Sequence, residues 1–206
     1  MISLNWRPAR WVLAAVLVLL VTGTSVRADE QSGPPVYGFP NARQTLVVWG
    51  SFTCPFMVRL MQVLAKIVQD SNGTVNIQWR HLPAHEYDPV LHAVSLADPK
   101  RFWNFAFQVM GAFMKGNDPA KWKWEQIVEI GKAAGIPEEA LAKARDDKEN
   151  WEVVQQDYLA AKLLQIEKTP GLFYDGYFMT PDGLPLDAAA FDKSLRAMLK
   201  VETAPK

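Results

Sequence analysis

Between Leu46 and Trp79 the chain passes from an apolar strand through a sharp turn into an amphipathic helix and out to a second strand, an order that few folds accommodate. Leu46-Val47-Val48-Trp49 is a continuous apolar run rich in β-branched and aromatic residues, which predicts a central strand covered on both faces. After the turn Gly50-Ser51-Phe52-Thr53-Cys54-Pro55, the positions Met57, Met61, Leu64 and Val68, flanked by Leu60 and Ile67, recur at helical spacing. Asn72-Gly73 closes that helix. Val75, Ile77 and Trp79 then alternate with Asn76, Gln78 and Arg80, which predicts a strand with one buried face. A β-α-β unit of this kind needs a sheet covered by helices, so the expected class is α/β.

Composition narrows the chemistry. Lys plus Arg equals Asp plus Glu at 22 each, so nothing in the charge recommends nucleic acid or an anionic surface as a partner. Cys54 is the only cysteine in 206 residues, which excludes an internal disulfide and a cysteine-rich zinc site. Arg7 and Arg10 precede the apolar run Trp11 to Val21, and Val26-Arg27-Ala28 follows. The run is shorter than the roughly 20 residues of a spanning helix, and this layout predicts a signal peptide over residues 1–28, with an uncleaved membrane anchor as the alternative. Export and a bacterial periplasmic location are therefore expected, with one mildly acidic domain over residues 29–206. The stretches Gln31 to Pro35 and Val201 to Lys206 are expected to be loose.

The middle of the chain reads as helical. Asp88-Pro89, Asp98-Pro99 and Asp118-Pro119 each fit an N-cap followed by the first helical position. Phe102, Phe105, Val109 and Phe113 form a stripe, Gly135 fits a left-handed cap ending the Asp118 helix, and further helices are predicted from Pro137 and over Lys148 to Leu164. Leu172 to Met179 reads as a hairpin whose Asp175-Gly176 pair takes two positive φ angles, and a last helix runs from about Asp187 to Lys200.

A cysteine between a buried strand and a helix N-terminus sits where backbone N–H groups and the helix dipole favour a thiolate. Phe56 adds no positive charge, so modest activation is expected. At this point the chain resembles the DsbA-like branch of the thioredoxin-fold thiol-disulfide oxidoreductases. Tyr37-Gly38-Phe39-Pro40-Asn41-Ala42 through Phe52-Thr53-Cys54-Pro55 looks like the family's opening, and Lys168-Thr169-Pro170-Gly171-Leu172-Phe173 followed by Asp175-Gly176 looks like its cis-proline loop and hairpin. The resemblance spans nearly all of the chain after residue 28. It implies a thioredoxin-like α/β fold with an inserted helical domain at about residues 85–165, a catalytic Cys54, and a Thr169-Pro170 cis bond facing it. It further implies that Thr169 pairs with an extended substrate segment, beside a groove formed by Pro170, Phe52, Pro55 and Phe56.

The family motif is Cys-x-x-Cys, whereas this chain reads Cys54-Pro55-Phe56-Met57. A thioether forms no thiolate, so resolution of a mixed disulfide within the molecule is excluded and an external thiol or redox partner must release the product. The position of Met57 on the apolar stripe predicts a core residue. The expected function is monothiol exchange with protein thiols or disulfides, without a cofactor. A chaperone or peptide-binding module on a degraded thioredoxin fold is the alternative, and a glutathione-linked transferase or isomerase is a third reading.

Three other features are read as structural. His81, His85 and His92 invite a metal reading, with His81 and His85 four apart, but Pro83 between those two argues against one helix face and hence against a metal pair, leaving solvated or capping histidines in a loop. Lys121-Trp122-Lys123-Trp124 is read as core packing with snorkelling lysines in place of a nucleic-acid patch. Asn72-Gly73-Thr74 is read as a turn although it matches a glycosylation sequon.

Overall fold

The computed structural model describes residues 33–179 and 187–202. The expected signal peptide and the last four residues lie outside the described residues. Five strands form one sheet: β1 (Val36–Gly38), β2 (Gln44–Gly50), β3 (Val75–His81), β4 (Gly171–Tyr174) and β5 (Tyr177–Met179), in the order β1-β3-β2-β4-β5. β2 runs parallel to β3, with Leu46 opposite Ile77, and antiparallel to β4, with Leu46 opposite Tyr174. The apolar run is therefore the central strand, as its composition predicts.

Alternate residues of β2 feed two different cores, because successive side chains leave a strand on opposite faces. Leu46 and Val48 join Met57, Met61, Leu64 and Ile67 of α1 (Pro55–Asp70) and Leu195 and Leu199 of α7 (Ala188–Leu199). Val47 and Trp49 pack with Ala161 of α6 (Lys148–Leu163) and with Leu82 and Ile166. Helices α2 (Asp88–Ser95), α3 (Phe102–Met114), α4 (Trp124–Ala133), α5 (Glu138–Asp146) and α6 lie in the sequence between β3 and β4.

β3 departs from the one-faced reading. Asn76 is buried and its amide donates to the carbonyl oxygens of Phe39 (2.9 Å) and Pro40 (3.2 Å), while Arg80 is paired at 3.0 Å with the Asp157 carboxylate of α6. The polar face of the strand is thus covered by the entry loop and by a helix, a tertiary arrangement that alternation alone does not carry.

The Asp-Pro pairs behave differently from one another. Asp118 accepts the Ala120 N–H at 3.1 Å as expected of a cap, but over the 3-10 turn Pro119–Lys121; α4 (Trp124–Ala133) starts later, at Lys123. Asp98 accepts the Lys100 N–H at 2.9 Å in a turn, and α3 (Phe102–Met114) begins beyond it. Asp88 lies inside the first turn of α2 (Asp88–Ser95), whose N-cap is Tyr87, and its carboxylate is engaged elsewhere.

Other local signals hold. Gly135 has φ +86°, and the Ile136 N–H reaches the Gly131 carbonyl at 2.9 Å, the bond that ends a helix in a left-handed cap. α5 spans Glu138–Asp146, Asp147 caps α6, and Asp187 caps α7. Asp175 (φ 50°) and Gly176 (φ 78°) make the primed hairpin turn. Phe113, Trp122 and Trp124 are all partly buried against the core. Val201, expected in a loose end, is buried against the core and its N–H bonds to the Arg196 carbonyl.

Candidate active site

Cys54 is the N-cap of α1, with extended backbone angles (φ −92°, ψ 120°) and Pro55 at the first helical position. Its carbonyl accepts the Val58 N–H, so the helix begins directly beneath the sulfur. The residue is 7% exposed. Its Sγ–H donates to the carbonyl oxygen of Thr169 at 3.3 Å, and the Ser51 N–H donates to Thr169 Oγ1 at 3.1 Å. The Thr169–Pro170 peptide bond is cis. Two segments 115 residues apart in sequence are thereby closed on one another at the sulfur.

The sulfur borders a groove of about 990 Å³. Phe56, Thr169, Pro170, Ala84, His85 and Tyr158 line it. Phe56 is 60% exposed and Pro55 is exposed, while Pro170 is buried beneath them. A second hollow of about 630 Å³ continues along α6, sharing Pro83, Ala84, His85 and Tyr158 and ending at Trp151.

Phe52 is not part of this groove. It is fully buried, with its ring stacked at 5.0 Å on Trp79 and at 4.5 Å on His92. The turn residue points inward because the end of β3 and α2 offer it an aromatic pocket, and its role is to seat the turn in the core. Met57 is also fully buried, one helical turn beyond Cys54, as its place on the apolar stripe predicts.

The histidine expectation needs the larger correction. His81 ends β3 and His92 lies in α2; both are fully buried, with their Nδ1 atoms 2.8 Å apart. Burial and the nearby Arg80 charge push the His81 imidazole down to about 3, and burial together with His81 pushes His92 well below its ordinary value. Both are neutral near pH 7. His85 alone is exposed, stacked on Tyr87 at 5.2 Å. Among the described residues no three His, Cys, Asp or Glu side chains gather as a metal site.

Sequence reasoning missed Asp88 and Asp157. The Asp88 carboxylate, 1% exposed, accepts from Ser51 Oγ (2.7 Å), Thr53 Oγ1 (2.5 Å), and the backbone N–H groups of Ala84 (2.8 Å) and His85 (3.1 Å). Asp157 accepts the His81 N–H at 2.8 Å, and its own carbonyl accepts Trp49 Nε1 at 3.3 Å. Burial raises the Asp157 carboxyl above its ordinary range, against the opposing pull of the His81 N–H and of Arg80. Both residues carried only helix-capping or surface signals in the sequence; their partners come from other elements.

A strand-turn-helix bearing a cysteine opposite a cis-proline loop, on a sheet of this order, defines a thioredoxin-fold protein of the DsbA-like architecture. A family profile described as thioredoxin matches residues 30–197, and the chain belongs to that family. Among solved structures, oxidised BdbD from Bacillus subtilis is 21% identical with a TM-score of 0.66, covering 82% of this chain and 94% of that one. The catalytic domain of Proteus mirabilis ScsC is 18% identical with a TM-score of 0.65, covering 84% and 92%. The α-DsbA1 protein of Wolbachia pipientis is 17% identical with a TM-score of 0.63, covering 82% and 90%. A curated Na(+)/H(+) antiporter, NhaA 1 of Mycolicibacterium gilvum, is 26% identical over 179 residues, which is 79% of this chain and 26% of that protein. The chain thus spans about a quarter of that relative's length. Among the described residues no helix is long and apolar enough to cross a membrane.

Proposed function

We propose that this protein exchanges disulfides through the single thiol of Cys54, forming mixed disulfides with extended segments of other proteins after export to the periplasm. The observation that carries the proposal is the sulfur at a helix N-cap, hydrogen-bonded to the Thr169 carbonyl on the wall of an open groove. The Cys54 thiolate attacks one sulfur of a substrate disulfide. A Cys54–substrate bond forms as the original bond breaks, and the departing sulfur leaves as a thiolate that takes a proton from water. Thr169 offers backbone groups to an incoming strand, and Pro55, Phe56 and Pro170 offer apolar contact. Met57 stands in the position of a resolving cysteine, so an external thiol must attack the mixed disulfide to free the product. The segment over residues 1–28 serves as the export signal.

Intact-mass measurement after brief exposure to oxidised glutathione tests this directly. A single adduct on native Cys54, formed faster than on the unfolded chain, is expected. The small exposure of Cys54 favours a second reading, a peptide-binding chaperone in which the sulfur is incidental. Retention of full peptide capture by Cys54→Ser, with no adduct in the parent protein, would establish that reading instead.

A further inference from the structure

Asp88 makes four hydrogen bonds that serve two different walls of the site. Ser51 and Thr53 belong to the turn that carries Cys54, whereas Ala84 and His85 belong to the segment after β3 that also lines the groove. Ser51 extends the connection, since its N–H holds the Thr169 hydroxyl whose residue faces the sulfur. Ser51 and Thr53 hydroxyls also lie 3.1 Å from each other, and Ser51 Oγ accepts the Thr53 N–H at 3.2 Å. We propose that Asp88 is a positioning residue, a buried clasp that fixes the Cys54 turn and the Ala84-His85 lining of the groove relative to one another for exchange with extended substrates. The inference rests on the reading of Cys54 as the exchanging thiol.

A carboxylate suits this place better than any neutral side chain of similar size. All four partners are donors, and two of them are backbone N–H groups that have no alternative orientation. Without the carboxylate the buried Ser51 and Thr53 hydroxyls lose their acceptor and the two backbone N–H groups lose their tie to the turn, so the turn and the loop are free to separate. Asparagine retains most of the pattern. Its oxygen can take the place of Oδ2, which receives Ser51, Ala84 and His85, and its amide can donate to Thr53 Oγ1, whose hydroxyl then turns toward Ser51.

The test uses Asp88→Ala and Asp88→Asn in the full chain, with two readouts on folded protein. One is the rate of mixed-disulfide formation with a short extended peptide bearing an activated disulfide; the other is alkylation by iodoacetamide. In Asp88→Ala the clasp opens, so exchange with the peptide falls by about tenfold while alkylation of the released sulfur rises several-fold. Asp88→Asn restores both toward the parent values. A purely structural role moves neither rate in folded protein, or lowers both in proportion, and either result overturns the proposal. If Asp88→Ala does not fold, Ser51→Ala takes its place and must show the same opposed movement, its absence being equally decisive. If the parent protein fails to exchange with the peptide, the functional reading fails, and alkylation alone still decides whether Asp88 holds the sulfur.

Discussion

His81 Nδ1 lies 2.8 Å from His92 Nδ1, so one imidazole donates and the other accepts. The accepting ring must then carry its proton on Nε2, and neither Nε2 has a partner. One added proton would place an unpaired charge on the donating ring in a site closed to water, and protonation of both rings would set two N–H groups against each other.

The folded protein therefore loses stability as this pair is driven to protonate. Both imidazoles are held below the ordinary histidine value of 6.5, so the histidine contribution is complete above that pH and declines toward about 3 for His81. Each histidine removes about 1.4 kcal/mol per pH unit across that window. Asp157, raised by burial, works in the opposite direction and only at the acid end. Urea midpoints are expected to hold from pH 8 to 7 and to fall steadily between pH 6 and 4.5. A flat profile through that interval contradicts the neutral pair.

Phe52 and Phe56 flank the cysteine but stand in opposite environments, fully buried and 60% exposed. Phe52→Ala should destabilise the fold by about 3–5 kcal/mol, through the lost stack on Trp79 and His92. Phe56→Ala should change stability by no more than about 0.5 kcal/mol while weakening capture of peptides at the groove. Denaturation midpoints and mixed-disulfide rates separate the two, and equal effects on stability contradict the assignment.

Met57→Cys should give Cys54 a partner one helical turn away and allow a disulfide to close. Burying a smaller side chain there costs about 1–3 kcal/mol in the reduced protein. The variant is expected to lose both free thiols on mild oxidation without gaining mass from glutathione, and to oxidise a reduced model protein with turnover. A folded variant whose thiols both remain free shows that the turn does not present the two positions to each other.

Gly50 precedes the active turn with no room for a methyl group. A Cβ there would stand 2.6 Å from Met57 Sδ and 2.6 Å from Trp79 Cη2. Gly50→Ala should cost about 1–3 kcal/mol by overpacking, seen as an earlier thermal transition. Stability unchanged within error shows that Met57 and Trp79 yield freely.

The parts of the fold that were readable in the sequence are those fixed by near neighbours. The run Leu46 to Trp49, the helical spacing from Met57 to Val68 and the Asp175-Gly176 turn each carry their own cause. The meeting of Cys54 with the Thr169-Pro170 loop is legible from the motif. The site was not readable where a side chain serves a distant segment. Asp88 looks like a helix cap, yet 35 to 37 residues separate it from the hydroxyls it holds. His92 shares a helix face with Leu91 and Ser95, a sign of burial that gained meaning only once β3 delivered His81 beside it. The motif places Phe52 at the groove beside Phe56, whereas its pocket is built by Trp79 and His92.

A chain whose only cysteine is Cys54 can form disulfides solely with other molecules, so its oxidised form is always heavier than its reduced form and its redox state can be weighed. Equilibrium with a small thiol exchanges one molecule for one molecule on each side. The occupied fraction of Cys54 then follows the ratio of disulfide to thiol in its surroundings, unaffected by dilution at fixed ratio. A dithiol protein closing an internal bond releases two thiols for each disulfide consumed and answers to concentration as well. A cysteine introduced at position 57 would thus change which property of a redox buffer sets the oxidation state of Cys54.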